Sequence, residues 1–146
     1  MASNPSLRPA TTNDLDLLAR MNRQLIEDEK STNLMDVEKL RERMQEWLGS
    51  TYDAVFFEQD GEVVGYALYR FENETFRERR VVYVRQFFVE RVYRRRGVGR
   101  KAFMELRQHF FGNALLRLEV LTTNPSGLVF WRSLGFRTYA VTLGLE

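Results

Sequence analysis

The sequence has no cysteine, one histidine and three prolines among its 146 residues. The missing cysteines exclude disulfides, thiolate metal sites and a cysteine nucleophile, and they say little about compartment. One histidine, His109, cannot build a histidine-rich metal site, so no metal is expected; on a helix face it reads as structural or solvated. No apolar run is long enough to span a membrane, and Met1-Ala2-Ser3-Asn4-Pro5 carries no apolar signal region. A soluble cytoplasmic protein without membrane contact is therefore expected. An excess of one charge is also lacking, since 22 basic residues face 20 acidic ones and the net charge is +2. That balance speaks against a dedicated nucleic-acid binder, although arginines cluster at 77–80 and 94–96. Linkers, repeats and low-complexity segments are missing too, which predicts one domain over residues 1–146.

What is present is a folded composition, 44% apolar and 13% aromatic. Leu7-Arg8-Pro9-Ala10 reads as a short first strand, with Pro9 placing it at an edge or a start. Thr11 and Thr12 can start a helix in which Leu15, Leu18, Met21 and Leu25 recur at helical spacing. It ends in the acidic run Glu27-Asp28-Glu29. Asp36 can cap a second helix, with Val37, Leu40, Met44, Trp47 and Leu48 on one face and Gly49 as its stop. The period then changes. Ala54–Glu58 and Val63–Tyr69 flank Asp60-Gly61, a strong hairpin signal. Val81–Val89 reads as a strand, the stretch to about Phe111 as a helix, and Leu115–Leu121 as a strand. Asn124-Pro125 starts a short helix, and Phe136–Leu145 is expected as a last strand. The order βααββ-βα-βαβ predicts an α/β (α+β) chain with a mixed sheet flanked by helices.

The stretch Arg94-Arg95-Arg96-Gly97-Val98-Gly99-Arg100 lies between a predicted strand and a predicted helix. Glycines there let main-chain amides approach a ligand, and the free N–H groups of a new helix favour a phosphate. Arginine adds donors that match phosphate oxygens. The P-loop spacing is absent. The dinucleotide fingerprint tolerates Ala102 in its third glycine place, but it needs a loop directly after the strand and a repeated βαβ pattern, and this chain has no such repeat. The bland alternative is a solvated, highly charged turn.

With a second segment added, the chain resembles the GNAT superfamily of acyl-CoA-dependent N-acetyltransferases. Arg94–Gly99 fits that family's Gln/Arg-x-x-Gly-x-Gly/Ala motif, and Asn124, Gly127, Phe130, Gly135 and Phe136 fit its second motif. The resemblance implies transfer of an acetyl group from acetyl-CoA, as co-substrate, to the amine of a small-molecule or amino-acid-like acceptor. It implies that the backbone of Phe87, Phe88 and Val89 holds pantetheine like an added strand and supplies an oxyanion donor. It implies that Arg94, Arg95, Arg96, Gly97, Val98, Gly99 and Arg100 hold the pyrophosphate, and that Asn124 and Trp131 flank the opposite wall. Phe87 and Phe88 as core, and Asn124 as an ordinary helix cap, remain open readings of the same residues. A homodimer is admitted.

The chain departs from the family pattern in two places. Trp131 stands where many members carry a tyrosine acid, and indole N–H is a poor acid. On the strand before the turn, Tyr83 and Gln86 stand where a carboxylate base is common; Gln86 can orient a water but cannot take a proton. Glu119 is a candidate relay, with a plainer reading as a salt-bridged strand residue. Tyr66, Tyr69, Tyr83, Tyr93 and Tyr139 are all candidate proton donors. Without cysteine, direct attack in a ternary complex is the natural mechanism. Glu27, Asp28 and Glu29 could draw a cationic amine to the acceptor side, or be solvated acids at a helix end; Arg77, Arg79 and Arg80 point toward an anionic acceptor, or merely solvate a loop. The competing function is a non-catalytic CoA-binding or regulatory domain.

Overall fold

The computed structural model describes residues 4–74 and 79–146. Arg77 lies outside them. Five strands form one sheet in the order β1-β2-β3-β4-β5. They are β1 (Ser6–Pro9), β2 (Asp53–Gln59), β3 (Glu62–Glu74), β4 (Arg79–Val89) and β5 (Leu115–Leu118). The first three pairings are antiparallel and β4–β5 is parallel. Pro9 sits on the edge strand, where its missing N–H does no harm to the ladder. Asp60 and Gly61 have φ of 54° and 79°, the left-handed pair that a two-residue hairpin requires.

Helices α1 (Leu15–Asp28) and α2 (Val37–Trp47) cover one face of the sheet. Leu18, Met21, Leu25 and Met44 bury against Phe56, Tyr66, Leu68 and Phe88. The Lys39 N–H donates to Asp36 Oδ1 at 2.9 Å, which caps α2 as expected. Helix α3 (Val98–Leu106) covers the other face, packing Val98, Ala102 and Leu106 on Val55, Ala67, Val82 and Val84. It continues through a π-helical turn, Arg107–Phe111, to Gly112 at φ 60°. Helix α4 (Pro125–Ser133) follows β5. His109 pairs with Glu105 at 3.1 Å on the exposed side of that π turn.

One irregularity shapes the functional end. Leu68 of β3 faces Gln86, and the next residue, Tyr69, faces Val84. Arg85 is thus an extra residue in β4, a β-bulge. The bulge changes which residues share a face. Val82 and Val84 point to the α3 side, but beyond the bulge so do Phe87 and Val89, while Phe88 points to the α1 side. The β4–β5 ladder covers only Val81–Val84 against Leu115–Leu118 and stops where the bulge begins. From Arg85 onward that edge of β4 pairs with no strand among the described residues.

Two expected elements differ. The strand expected over Leu115–Leu121 ends at Leu118, because β4 turns away at the bulge and later residues have no ladder to join. The last strand, expected over Phe136–Leu145, is not formed: residues 136–146 have no regular structure. The apolar alternation is there, but no edge pairs with it. Among the described residues the last main-chain hydrogen bond in this segment is Phe136 N–H to Trp131 C=O, at 3.2 Å. Val141, Leu143 and Leu145 are exposed, and Tyr139 rests under the Arg117 guanidinium at 4.3 Å.

Candidate active site

The arginine turn has the backbone shape of an anion cradle. Arg95 and Gly97 both have left-handed φ, 62° and 79°. The first main-chain bond of α3 runs from Lys101 N–H to Gly97 C=O at 3.0 Å, so the N–H groups of Val98, Gly99 and Arg100 have no main-chain acceptor among the described residues. A Cβ at Gly97 would meet no atom within 4 Å, so the cradle is open on that side. A Cβ at Gly99 would come within 3.3 Å of the Phe130 ring. Glycine there lets α3 approach α4.

Asp28 holds this turn in place. Its carboxylate accepts from Arg91 at 2.6 Å and forms an ion pair with Arg94. Arg94 Nε also donates to the Val89 carbonyl at 2.8 Å. The C-terminal end of α1, the end of β4 and the turn are thereby tied together.

Behind the turn, a cleft of 640 Å³ opens where β4 leaves β5. Alternation along β4 decides what its backbone offers. The Phe88 carbonyl faces β3, where a Cβ on Gly65 would come within 2.1 Å of it. The main-chain groups of Phe87 and Val89 therefore face the gap. Phe87 stacks on Phe130 of α4 with centroids 5.8 Å apart. Trp131 is buried, set edge-on against Phe87 at 5.1 Å, Phe103 at 5.6 Å and Phe136 at 5.2 Å. Its ring is a wall of the cleft. Asn124 lines the same cleft and also caps α4, its Oδ1 accepting from the Gly127 N–H at 3.1 Å.

At the other end stand the titratable groups. Tyr66, fully buried, donates its hydroxyl to Gln86 Oε1 at 2.7 Å. Burial first, then the charge of Glu29, push its pKa well above the ordinary tyrosine value, against a smaller opposing effect of Arg43. Tyr83 donates to Glu119 Oε1 at 2.8 Å. Burial, then that bond and the Glu119 charge, push the Tyr83 hydroxyl up to about 12. Both phenols are protonated donors at neutral pH. Burial, then the neighbouring Asp28 carboxylate, hold the Glu29 carboxyl above the usual glutamate range. The Glu29 carbonyl accepts from the Thr123 hydroxyl at 2.6 Å, joining the end of α1 to the approach of α4 across the cleft mouth.

The residues singled out in the sequence are thus mostly gathered in one place. Gln86 to Val89, Arg94, Arg95, Gly97 to Arg100, Glu119, Asn124 and Trp131 line the cleft, as do Asp28 and Glu29. Arg96, Tyr83 and Glu27 do not, although Tyr83 reaches it through Glu119. Glu27 pairs with Arg23 at 3.7 Å. Arg79 donates to the Asn113 carbonyl at 2.7 Å and Arg80 covers Phe71 at 3.9 Å, so both brace β4 away from the cleft. Of the tyrosines, Tyr69 and Tyr93 pack on the α3 side. Sequence reasoning missed the clamp of Asp28 on two arginines, and the extra residue Arg85. No local signal marks either, because both depend on which strands and helices meet.

A family model described as the acetyltransferase (GNAT) family matches residues 20–136. No curated protein matches the sequence. Among solved structures, a possible acetyltransferase from Clostridium difficile 630 is 18% identical, with a TM-score of 0.79 over 99% of this chain and 97% of that one. The aminoglycoside N-acetyltransferase AAC(6')-Iy, in complex with CoA, is 16% identical, with a TM-score of 0.77 over 100% of this chain and 96% of that one. An aminoglycoside acetyltransferase from an uncultured soil metagenomic sample, in complex with sisomicin, is 16% identical with a TM-score of 0.71 over 97% of this chain and 95% of that one. With the matched region covering the arginine turn, the gap beside β4 and the α4 wall, the chain belongs to the acetyltransferase (GNAT) family.

Proposed function

We propose that the protein transfers an acetyl group from acetyl-CoA to a primary amine on a small-molecule acceptor, both bound at once. The observation that carries this is the continuity of two features: the N–H groups of Val98–Arg100 behind Gly97, which have no main-chain acceptor among the described residues, and the β4 edge at Phe87 and Val89, unpaired by any strand and with only the Val89 carbonyl taken, by Arg94, that leads from them into the cleft. The first suits a pyrophosphate and the second suits the amides of an extended pantetheine arm. Acetyl-CoA would supply the thioester; the chain's residues would do the rest.

Three carboxylates line the cleft. Asp28 is engaged by arginines, and Glu119 accepts from Tyr83. Glu29, with its raised pKa, is the proton acceptor in this reading, directly or through a water, and Gln86 orients the amine or that water. The amine nitrogen bonds to the thioester carbonyl carbon, the carbon–sulfur bond breaks, and the amine proton passes to Glu29. A thiolate with a pKa of about 8.5 leaves without a dedicated acid. A main-chain N–H at the splayed edge of β4 would face the carbonyl oxygen as charge builds on it.

Acetyl-CoA is a cytoplasmic metabolite, so the reading carries a cytoplasmic location with it. The outer edge of β5, unpaired among the described residues, and the exposed apolar side chains of 139–145 support a homodimer. The decisive measurement is thiol release from acetyl-CoA across a panel of primary amines, with calorimetric binding of acetyl-CoA beside it. Turnover with at least one amine is expected. Tight binding without turnover of any amine would instead leave a CoA-binding domain.

A further inference from the structure

The acceptor side of the cleft carries a group of arginines that acetyl transfer alone does not require. The bulge sets Arg85 on the same face as Gln86, lining the cleft. Its guanidinium lies 4.8 Å from the Trp47 ring centre, and Arg43 lies over the same ring at 4.3 Å. Two like charges thus share one indole. Arg70 stands nearby, bonded to the Tyr52 hydroxyl at 2.8 Å, and Arg85 reaches that hydroxyl at 3.4 Å. Arg70 is neutralised by Glu72 at 2.6 Å. Arg43 and Arg85 have no carboxylate partner among the described residues.

A second observation points the same way. Arg43 Nη2 donates to Asn22 Oδ1 at 3.3 Å, yet Arg43 Nε and Asn22 Nδ2 are buried donors with no acceptor among the described residues. Asn22 is fully buried. Buried donors are normally satisfied, so a pair of unsatisfied ones beside two unpaired cations marks uncompensated positive potential. Trp47 can soften the repulsion through its ring face but cannot cancel the charge. Burial, then the charge of Arg85, hold the Arg43 guanidinium below its ordinary pKa, as expected for a cation kept without its anion. Glu119 is tied to Tyr83, and Glu29 lies at the amine end.

We infer that the amine acceptor also carries an oxyanion group, a carboxylate or a phosphate, and that Arg85, backed by Arg43, binds that group. The inference rests on the proposed acetyl transfer. Guanidinium binds either anion through paired N–H donors. With the amine drawn toward Glu29, the acceptor's anionic group lies toward Arg85. Polycations such as polyamines and aminoglycosides meet repulsion at the Arg85 end.

The test compares acceptors of equal chain length on the intact protein: a simple alkylamine, an ω-amino carboxylate, an ω-aminoalkyl phosphate and a polyamine. Thiol release is expected to show kcat/KM at least about tenfold higher for one of the two anionic acceptors than for the alkylamine. Which of the two wins identifies the anion. Arg85→Gln, at an exposed side chain, should erase most of that preference while leaving the KM for acetyl-CoA unchanged, and Arg85→Lys should restore part of it. In parallel, glutarate is titrated calorimetrically into the parent and into Arg85→Gln, a readout that needs no turnover. Weaker glutarate binding by the variant supports the site even if no amine is acetylated, in which case only the transfer reading fails. Equal or better turnover of the alkylamine or polyamine overturns the inference, and so does glutarate binding that does not distinguish variant from parent.

Discussion

The buried hydroxyl of Tyr66 donates to Oε1 of Gln86 across 2.7 Å, and this bond decides which end of the Gln86 amide is left for the cleft. With Oε1 occupied, Nε2 remains as the available donor. Gln86 then holds a water oxygen beside the amine, and proton removal falls to another group. Tyr66→Phe deletes the bond and frees the amide to rotate. We expect kcat to fall about tenfold, a difference of ~1.4 kcal/mol, with the Kd for acetyl-CoA unchanged. The melting temperature should drop modestly, by the equivalent of about 1 kcal/mol for a lost buried hydrogen bond. An unchanged kcat would remove Gln86 orientation from the mechanism.

Gly99 faces the Phe130 ring, 3.3 Å from where a Cβ would stand. Gly99→Glu adds bulk between α3 and α4 and a negative charge at the anion cradle. Acetyl-CoA affinity should weaken by at least about tenfold. Calorimetry on a variant shown to be folded by circular dichroism is the check, and an unaltered Kd would dismiss the cradle as a phosphate site.

Asp28 borders the arginine turn, the end of the cleft proposed for the cofactor. Its ion pairs with Arg91 and Arg94 position the arginine turn, and removing their charge complement should loosen it. For Asp28→Asn we expect the KM for acetyl-CoA to rise by about three- to tenfold, on the scale of a partly buried ion pair, with the KM for the amine nearly constant. The reverse pattern would return Asp28 to the acceptor side.

Glu29 separates catalysis from stability. The fold raises its pKa, so the folded state prefers the protonated acid. A group raised in this way contributes stability below its unfolded pKa, and that contribution is lost as pH rises through the folded value. At neutral pH the partly buried carboxylate is therefore a burden to the fold, and Glu29→Gln should raise the melting temperature or leave it unchanged. The same change should lower kcat/KM by about a hundredfold, within the usual range for a general base. In the parent enzyme the acid limb of kcat/KM should lie above the ordinary glutamate range and be missing in the variant. A variant that keeps both its rate and its acid limb would assign that limb elsewhere.

The C-terminal segment predicts assembly. Leu143 is 88% exposed and Leu145 is 100% exposed in the isolated chain, and the outer edge of β5 has no neighbour among the described residues. An open edge and an apolar alternation are each a liability that pairing removes. Sedimentation equilibrium should show a dimer for the parent and a shift toward monomer for Leu143→Asp, while a monomeric parent would rule the assembly out.

Much of this is legible from residue order. The hairpin at Asp60-Gly61, the cap at Asp36 and the turn at Gly97 are local events, each decided by side chains within a few positions of one another. The arginine turn and the Asn124 segment are readable for the same reason. The fates of Glu119, Val120 and the C-terminal residues are not, because a strand exists only where another strand offers it an edge. Residues after Leu118 lose theirs to the bulge, and residues after Phe136 join none, although the outer edge of β5 is open among the described residues. The acidic run shows a subtler limit. Glu27, Asp28 and Glu29 are adjacent in sequence, yet helix geometry sends them to an outer pair, an arginine clamp and the cleft.

The bulge at Arg85 makes the opening beside β4 a matter of counting. Val84 and Phe87 sit on the α3 side with two residues between them, where a regular strand would have one. Deleting Arg85 would leave a plain alternation: Gln86 and Phe88 would keep the α1 side, and Phe87 and Val89 would keep theirs. The aromatic walls and the core would survive almost untouched. What would go is the bend, and with it the reason that β4 parts from β5. The two strands could then zip together past Leu118, and the gap proposed for an extended ligand would close on the chain's own backbone. The opening is therefore stored as one surplus residue rather than as any particular side chain, and a change of length there threatens it more than most changes of chemistry.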